Sequence, residues 1–186
     1  LKLKGSSAGI DEIRPDIVKE CADLLIQPLT HAFNLSFMNG VFPRELKYAC
    51  VVPIYKGDDS SKFNNYRPVS VLPVFSKIIE RLMYDRLLLF LNQRKLLWKY
   101  QFGFREKHST NLALILLMDK ITSAIENGEY VLGIFLDFSK AFDTVNHKIL
   151  LDKLNFYGVR GIANTWFQDY LKDRTQTVKY DNVLSH

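Results

Sequence analysis

Cysteine is scarce in this chain of 186 residues: Cys21 and Cys50 are the only two, with no C-x-x-C spacing and no histidine cluster nearby. Two isolated cysteines argue against a disulfide framework and against a cysteine-based zinc site. Long hydrophobic runs are also missing, because the longest, residues 112–118 and 130–136, fall well short of the roughly 18 residues that a membrane helix needs. No signal-peptide pattern opens the sequence. These absences predict an intracellular protein, of the nucleus or the cytoplasm, with no membrane partner.

The composition is that of a folded globular protein, with 47% hydrophobic, 24% charged and 13% aromatic residues. The formal net charge is +5, and the basic excess lies in residues 44–107, which have 13 basic and 6 acidic side chains. Aromatic residues alternate with these charges, namely Tyr66, Trp98, Tyr100, Phe102 and Phe104. Cations for a phosphate backbone and aromatic planes for bases are typical of a nucleic-acid channel. The alternative interpretation is a solvated basic face above ordinary core aromatics.

Apolar spacing and local stop signals predict a helix-rich chain with a few short strands. Pro15 suits the first turn of a helix, and Pro28 is predicted to open a second helix that ends at Asn39-Gly40. Ser109 is a good N-cap for a helix over residues 110–126. The other predicted helices cover residues 73–92, 147–156 and 162–171, and the predicted strands cover residues 48–55, 66–71, 130–138 and 175–180.

The strand predicted over residues 130–138 is almost continuously apolar, as buried strands are, yet it contains Asp137. A buried carboxylate costs several kcal/mol unless it is paired or binds a metal ion. Taken alone, Asp137 or Asp143 is best explained as an N-cap for the structure that follows. The residues around Asp137 and elsewhere in the chain change that interpretation.

Eight short blocks occur along the chain in a fixed order. They are Ala8-Gly9-Ile10-Asp11; Phe42-Pro43 with Lys47; Pro53-Ile54-Tyr55-Lys56-Gly57-Asp58; Asn65-Tyr66-Arg67-Pro68-Val69-Ser70; Ser76-Lys77-Ile78-Ile79-Glu80; Gln101-Phe102-Gly103-Phe104-Arg105 with Ser109-Thr110; residues 135–145; and Trp166, Tyr170-Leu171, Arg174 and Gln176. In these blocks the chain resembles the reverse transcriptases of non-LTR (LINE-type) retrotransposons. The resemblance covers essentially the whole chain, and the amino-acid sequence of the blocks favours this type over the intron-encoded maturases.

The resemblance implies an α+β fold, the fingers plus a partial palm of a right-hand polymerase, helix-rich with short antiparallel strands. It implies that residues 1–128 form an N-terminal extension and fingers, and that residues 129–186 form part of the palm. The implied partners are an RNA template, a DNA primer, dNTP and the remainder of the polymerase. The implied reaction is two-metal phosphoryl transfer with Mg²⁺ as the cofactor.

The resemblance also assigns the candidate palm residues. Asp137 matches the first catalytic, metal-binding carboxylate, and the backbone carbonyl of Phe138 is the second implied metal ligand; hard oxygen ligands suit Mg²⁺. Phe142 matches the aromatic residue that lies under the sugar and excludes a ribose 2′ hydroxyl, although a core aromatic is the alternative. The backbone around Lys140 and Ala141 is expected to approach the phosphates of the nucleotide.

The candidate fingers residues are basic. Arg67 and Lys56 match the residues that hold the dNTP triphosphate, because Arg offers a planar fork to phosphate oxygens and Lys a mobile point charge. For Lys56, an ordinary solvated surface lysine is the alternative. The loop expected nearest the template consists of Gln101, Phe102, Gly103, Phe104 and Arg105. Gly57-Asp58-Asp59 spells a polymerase tripeptide, but its place before the metal-binding segment predicts a solvated turn.

The family's palm continues with a Gln-Gly block, a Tyr-x-Asp-Asp hairpin and a thumb, and none of these is in the 186 residues. We therefore expect a fragment of the polymerase that is inactive alone, with hydrophobic core residues exposed where the missing strands would pack. Two other interpretations stay open at this stage: a non-catalytic nucleic-acid-binding fragment, and the product of a decayed element. His31, His108 and His147 lack metal-ligand spacing, so surface or capping roles are expected for them.

Overall fold

The computed structural model describes residues 8–180 and 183–185. The helices are α1 (Pro15–Glu20), α2 (Ala22–Asn39), α3 (Val74–Gln93), α4 (Thr110–Glu126), α5 (His147–Phe156) and α6 (Ile162–Leu171), and the strands are β1 (Tyr48–Tyr55), β2 (Tyr66–Val71), β3 (Thr175–Tyr180) and β4 (Val183–Leu184). Short 3₁₀ turns at Arg44–Lys47 and Phe63–Asn65 precede β1 and β2. None of the helices in the described part of the chain is long and apolar enough to cross a membrane.

Local capping signals explain several helix ends. The Ser109 hydroxyl accepts a hydrogen bond from the Leu112 N–H at the start of α4, as predicted. Gly40 ends α2 with φ of +68°, a left-handed conformation that glycine adopts without steric cost. The prediction that Pro28 opens a helix is wrong, because α2 begins at Ala22 and continues through Pro28. A proline removes one helical hydrogen bond, here the one to the Leu24 carbonyl, and Leu24 lies on the exposed side of the helix.

The strands form one mixed sheet in the order β2-β1-β3-β4. β1 pairs antiparallel with β2, from Cys50 opposite Val71 to Tyr55 opposite Tyr66. β1 also pairs with β3, and this pairing is parallel, which corrects the expectation of antiparallel strands. A parallel pair needs a long crossover, and here the chain between the two strands includes several helices and returns through α6 to the start of β1.

The described residues up to Arg86 and from Asn146 onwards form one compact unit. Its core contains Val18, Phe33, Phe42, Val74, Ile78, Ile79 and Trp166. Trp166 is 1% exposed and stacks on Tyr170, with ring centroids 5.5 Å apart, while its indole N–H donates to the Ser36 hydroxyl over 3.0 Å. One cluster of core residues around Trp166 therefore packs helices α1, α2, α3 and α6 together, and β1 and β3 begin at its edge.

Residues 87–145 form the second compact unit, which contains α4. The buried strand predicted over residues 130–138 is wrong: this stretch has no regular secondary structure, and Tyr130, Phe135 and Leu136 are exposed. A strand is stabilised by hydrogen bonds to a neighbour, and the four strands of the described residues do not pair with this segment. The predicted division into fingers (residues 1–128) and palm (residues 129–186) is a functional one and stays a prediction.

Candidate functional site

The basic candidates of the first unit lie at the far end of the β1–β2 hairpin. Arg67 is the second residue of β2 and faces Ile54 of β1. Lys56 directly follows β1, and its backbone N–H donates to the Asn65 carbonyl over 2.8 Å, which closes the hairpin. Antiparallel neighbours project to the same side of a sheet, so Arg67 and Ile54 share one face. The structure therefore brings Lys56 and Arg67 to the same end of one hairpin.

The loop between β1 and β2 is ordered by its own polar groups. The Tyr66 hydroxyl donates to the Ser60 carbonyl over 2.9 Å, and the Tyr55 hydroxyl donates to the Asp58 carbonyl. The Ser61 hydroxyl and backbone N–H both donate to the Asp59 carboxylate, and these bonds hold the pKa of Asp59 below its ordinary value. Asp58 and Asp59 are exposed and Gly57 is half-buried, which agrees with the interpretation of residues 57–59 as a solvated turn.

The two basic side chains differ in their freedom. The Lys56 ammonium donates to the Asn64 carbonyl over 3.4 Å, so it is partly held against the loop. The guanidinium of Arg67 is exposed, and within residues 8–180 and 183–185 it has neither an ion pair nor a hydrogen bond. An unpaired guanidinium on an ordered strand presents its planar donor fork to an incoming anion without first breaking a contact.

A group of charged residues at the opposite, inner end of the hairpin was given no role by the sequence. Lys47 lies 3.1 Å from the carboxylate of Asp169, and Arg174 lies 3.7 Å from the carboxylate of Glu80. Lys47, Glu80 and Arg174 belong to the sequence blocks described above, and this membership is the feature of the sequence that pointed to them. Asp169 belongs to none of them, and its pairing follows from the fold alone.

Burial raises the pKa of two side chains at this place, Glu80 and Tyr170. Desolvation raises the pKa of the Glu80 carboxyl, and this effect outweighs the nearby Arg174 charge and the hydrogen bonds from Tyr170 and Ser76. Desolvation, together with the neighbouring Glu80 carboxylate, raises the pKa of the Tyr170 hydroxyl to about 12. The Arg174 guanidinium also lies 4.7 Å from the centre of the Tyr170 ring. The group therefore lies at the margin of the core, with Lys47 buried and the other three side chains half-buried.

The candidate metal ligands lie in the second unit. Asp137 and Phe138 are exposed, and the Asp137 carboxylate has no partner among the residues that the structure describes. Its oxygen atoms suit the ligand preference of Mg²⁺. One carboxylate is not a complete site, however, and no group of three potential ligands occurs in the described part of the chain. Asp137 and the Phe138 carbonyl thus fit part of a magnesium site.

The segment after Asp137 is a tight turn. Lys140 has φ of +50°, and its carbonyl accepts hydrogen bonds from the N–H groups of Asp143 (2.9 Å) and Thr144 (3.2 Å). The N–H groups of residues 139–142 have no acceptor within the described chain, so they are available to an anion. The Phe142 ring is 79% exposed and meets the Phe104 ring edge-on, with centroids 6.0 Å apart. Phe142 is therefore not the core aromatic of the alternative interpretation.

The candidate template loop is held by the turn before it. The Arg105 guanidinium donates to the Trp98 carbonyl over 3.0 Å, and the Gln101 side chain donates to the Gly103 carbonyl over 3.4 Å. Phe102 is half-buried against the ring of His108. Phe104 is 85% exposed, so among these five candidates it presents the largest free aromatic surface.

The candidate residues thus fall into two sets. Lys56 and Arg67 belong to the first unit, whereas residues 101–105 and 137–142 belong to the second. Within the second unit the structure brings the candidate template loop and the candidate sugar-contacting residue together through Phe104 and Phe142.

Comparison with known proteins identifies the class of protein. The model of the reverse transcriptase (RNA-dependent DNA polymerase) family matches residues 54–185, and the chain belongs to this family. The RNA-directed DNA polymerase from mobile element jockey of Drosophila melanogaster is 38% identical over 154 residues, which are 82% of this chain and 17% of that protein. The probable RNA-directed DNA polymerase from transposon BS of the same organism is 33% identical over 192 residues, covering 100% of this chain and 20% of that protein.

A third relative has a different printed name. The putative 115 kDa protein in type-1 retrotransposable element R1DM of Drosophila melanogaster is 33% identical over 165 residues, 87% of this chain and 16% of that protein. The chain therefore spans about a fifth or less of the length of these relatives. Together the matches identify it as part of a reverse transcriptase domain of a LINE-type retrotransposon, which confirms the prediction from the sequence blocks.

Proposed function

We propose that this chain is the fingers and the first part of the palm of an RNA-directed DNA polymerase, which adds dNTPs to a primer 3′ end on an RNA template. The observation that supports this most is the unpaired guanidinium of Arg67, displayed on an ordered hairpin inside the span matched by the family. Its surroundings contain no competing carboxylate partner among the described residues. It is available for an anion such as the triphosphate.

In this proposal the hairpin holds the nucleotide by its phosphates. Arg67 donates two parallel hydrogen bonds to phosphate oxygens, and Lys56 adds a point charge after exchanging its weak bond to the Asn64 carbonyl. The N–H groups of residues 139–142, in the other unit, are likewise free to donate to an anion. Positioning of this kind is a large part of catalysis in phosphoryl transfer, because the protein performs little covalent chemistry itself.

Asp137 and the carbonyl of Phe138 would hold Mg²⁺ in this polymerase. Bound Mg²⁺ neutralises charge on the phosphates and on the attacking primer oxygen. Asp137 contributes a fixed negative charge and oxygen ligands at that place, and its lack of another partner leaves the carboxylate available. Since these residues supply part of the site, we propose that the chain alone is inactive.

Phe142 is proposed to select the sugar. Its exposed ring is supported at one edge by Phe104, and a flat apolar surface below the sugar leaves no space and no partner for a 2′ hydroxyl. The loop with Gln101, Gly103 and Arg105 is proposed to contact the template. Phe104 would then connect template contact and sugar selection through one aromatic pair.

The decisive experiment is primer extension by the complete polymerase on an RNA template with Mg²⁺ and dNTPs. Asp137→Asn keeps the shape of the side chain but removes its charge, so we expect synthesis to fall by at least about 10³-fold. Asp119→Asn is the matched control, because Asp119 is an exposed carboxylate on α4 of the same unit. Full synthesis by Asp137→Asn would remove Asp137 from the site, and no synthesis by the unmodified enzyme would refute the proposed function.

A further inference from the structure

Four charged side chains meet where the β1–β2 hairpin leaves the helical core. Lys47 directly precedes β1 and Arg174 directly precedes β3, and the first residues of these two parallel strands, Tyr48 and Thr175, are paired. Lys47 faces Asp169 at 3.1 Å and Arg174 faces Glu80 at 3.7 Å. We call Lys47, Asp169, Glu80 and Arg174 the base network. The residue before each of these two strands is thus a cation that pairs with a carboxylate on a helix.

The base network joins three helical elements to the strand ends. The second oxygen of the Asp169 carboxylate accepts the Phe42 N–H over 2.7 Å, which ties α6 to the segment before β1. The hydroxyl of Ser76 lies 3.2 Å from both the Leu46 carbonyl and the Glu80 carboxylate, so the first turn of α3 reaches the same place. β2 leads directly into α3. The inner ends of β1, β2 and β3 are therefore fixed at one point.

The charges are costly for stability alone. The Lys47 side chain is 8% exposed and Glu80 is about three-quarters buried, and desolvation raises the Glu80 pKa. Well-packed apolar residues of similar volume often stabilise as much as a buried ion pair or more, whereas charged pairs prescribe distances and directions. The arrangement is thus better suited to fixing the geometry of the strand ends than to adding stability.

A small tilt at the inner end of the hairpin produces a larger displacement at its outer end. The eight residues of β1 span about 26 Å at roughly 3.3 Å per residue. A tilt of about 2° at the base therefore moves Lys56 and the strand beside Arg67 by about 1 Å. A displacement of about 1 Å far from the reaction can lower a rate by about 10²-fold.

We propose that the base network is the positioning anchor of the hairpin, and that Asp169 and Glu80 are positioning residues that hold Arg67 and Lys56 at the triphosphate. The identity of this ligand rests on the proposed function. Neither carboxylate touches the nucleotide in this proposal. Both act through the cation at the start of a strand, and the hairpin transmits their effect.

The first test uses the complete polymerase. Asp169→Asn keeps an oxygen for the Phe42 N–H and removes the charge opposite Lys47, so we expect KM for dNTP to rise about tenfold or more while kcat changes by less than about threefold. In an Arg67→Ala, Lys56→Ala background the same substitution should add almost nothing, because its effect passes through these two residues. Asp85→Asn, which breaks the exposed Arg81–Asp85 pair on α3, is the control and should leave both constants unchanged. A full additional rise in KM in the background that lacks both Arg67 and Lys56 would overturn the proposal.

The second test does not depend on activity. In this chain, Asp169→Asn should accelerate amide hydrogen exchange at residues 50–52, 54 and 55 of β1 and leave Ile78 and Ile79 of α3 protected. Unchanged exchange in the hairpin would refute the positioning role even if the polymerase proved inactive on RNA. If Asp169→Asn does not fold, Arg174→Lys replaces it, because this variant keeps the charge opposite Glu80 and loses the bond from Arg174 to the Tyr170 carbonyl (3.3 Å). The same acceleration is expected, and its absence again refutes the proposal.

Discussion

Trp166 provides the sharpest test of the core that supports the hairpin. Its ring is 1% exposed, packs within 5.6 Å of the rings of Phe37, Phe42 and Tyr170, and donates through its indole N–H to Ser36. Trp166→Phe removes that hydrogen bond, worth about 1 kcal/mol net. It also leaves a cavity of roughly 40 Å³, which costs about 1 kcal/mol at about 24 cal/mol per Å³. We expect the free energy of unfolding to fall by about 2 kcal/mol.

The measurement can be made on Trp166 directly. The sequence has two tryptophans, and the other, Trp98, is 69% exposed. In a Trp98→Phe background, the emission of Trp166 should lie at the short wavelength typical of a buried indole and move to longer wavelength during urea unfolding. The stability loss of Trp166→Phe is then taken from circular dichroism, under two-state conditions.

A double-mutant cycle with Ser36 isolates the hydrogen bond. The Ser36 hydroxyl accepts from Trp166 and donates to the Val41 carbonyl over 2.5 Å, so Ser36→Ala leaves the buried indole N–H and the part-buried Val41 carbonyl without this partner. The coupling energy between Ser36→Ala and Trp166→Phe should be about 1 kcal/mol. A coupling near zero, or emission by Trp166 at the wavelength of an exposed indole, would contradict the core described above.

Three further perturbations have defined outcomes. Gly40→Ala should lower the free energy of unfolding by at least about 1 kcal/mol, because φ is +68° and a Cβ would lie 3.1 Å from a backbone carbonyl of α6. In the same denaturation assay, Gly103→Ala should have nearly unchanged stability. Burial raises the pKa of the Glu80 carboxyl in the folded state, so protonation of Glu80 stabilises the fold. This contribution is complete below the ordinary pKa of 4.5 and is lost as the pH rises through the folded-state pKa. Wild type should therefore gain stability over Glu80→Gln as the pH falls from neutral to about 4.5, and a pH-independent difference would contradict the burial of Glu80. In the complete polymerase, Phe142→Ala should raise the ratio of kcat/KM for ribonucleotides over deoxyribonucleotides by at least about tenfold, and an unchanged ratio would remove Phe142 from sugar selection.

Local signals explain what the sequence predicted well. The helices over residues 147–156 and 162–171 and the strands over 48–55, 66–71 and 175–180 have the predicted bounds, because their ends are set by caps, turns and apolar spacing within a few residues. The strand predicted over residues 66–71 from the same signals also placed Arg67 on a strand. These features need no knowledge of distant parts of the chain.

Long-range pairing explains what the sequence did not predict. The parallel neighbour of β1 is separated from it by more than a hundred residues, and the partner of Lys47 is Asp169, on α6. Apolar composition at residues 130–138 predicts a buried strand, but composition does not specify which strand pairs with it. Pro28 is a related case, since α2 continues through a residue that was predicted to start a helix, and tertiary packing overrides this local signal.

The two sets of candidate residues consequently differ in what holds them in place. Arg67 and Lys56 stand on a hairpin whose base is fastened by Lys47, Asp169, Glu80 and Arg174, so their geometry is already determined within one unit. Asp137 stands in an exposed apolar segment without a pairing strand in the described chain. An exposed run of this composition gains most from a neighbour that supplies backbone partners and covers its side chains. Triphosphate binding is therefore the part of the proposed function that these residues are best organised to perform by themselves, whereas the proposed metal binding at Asp137 would require further contacts.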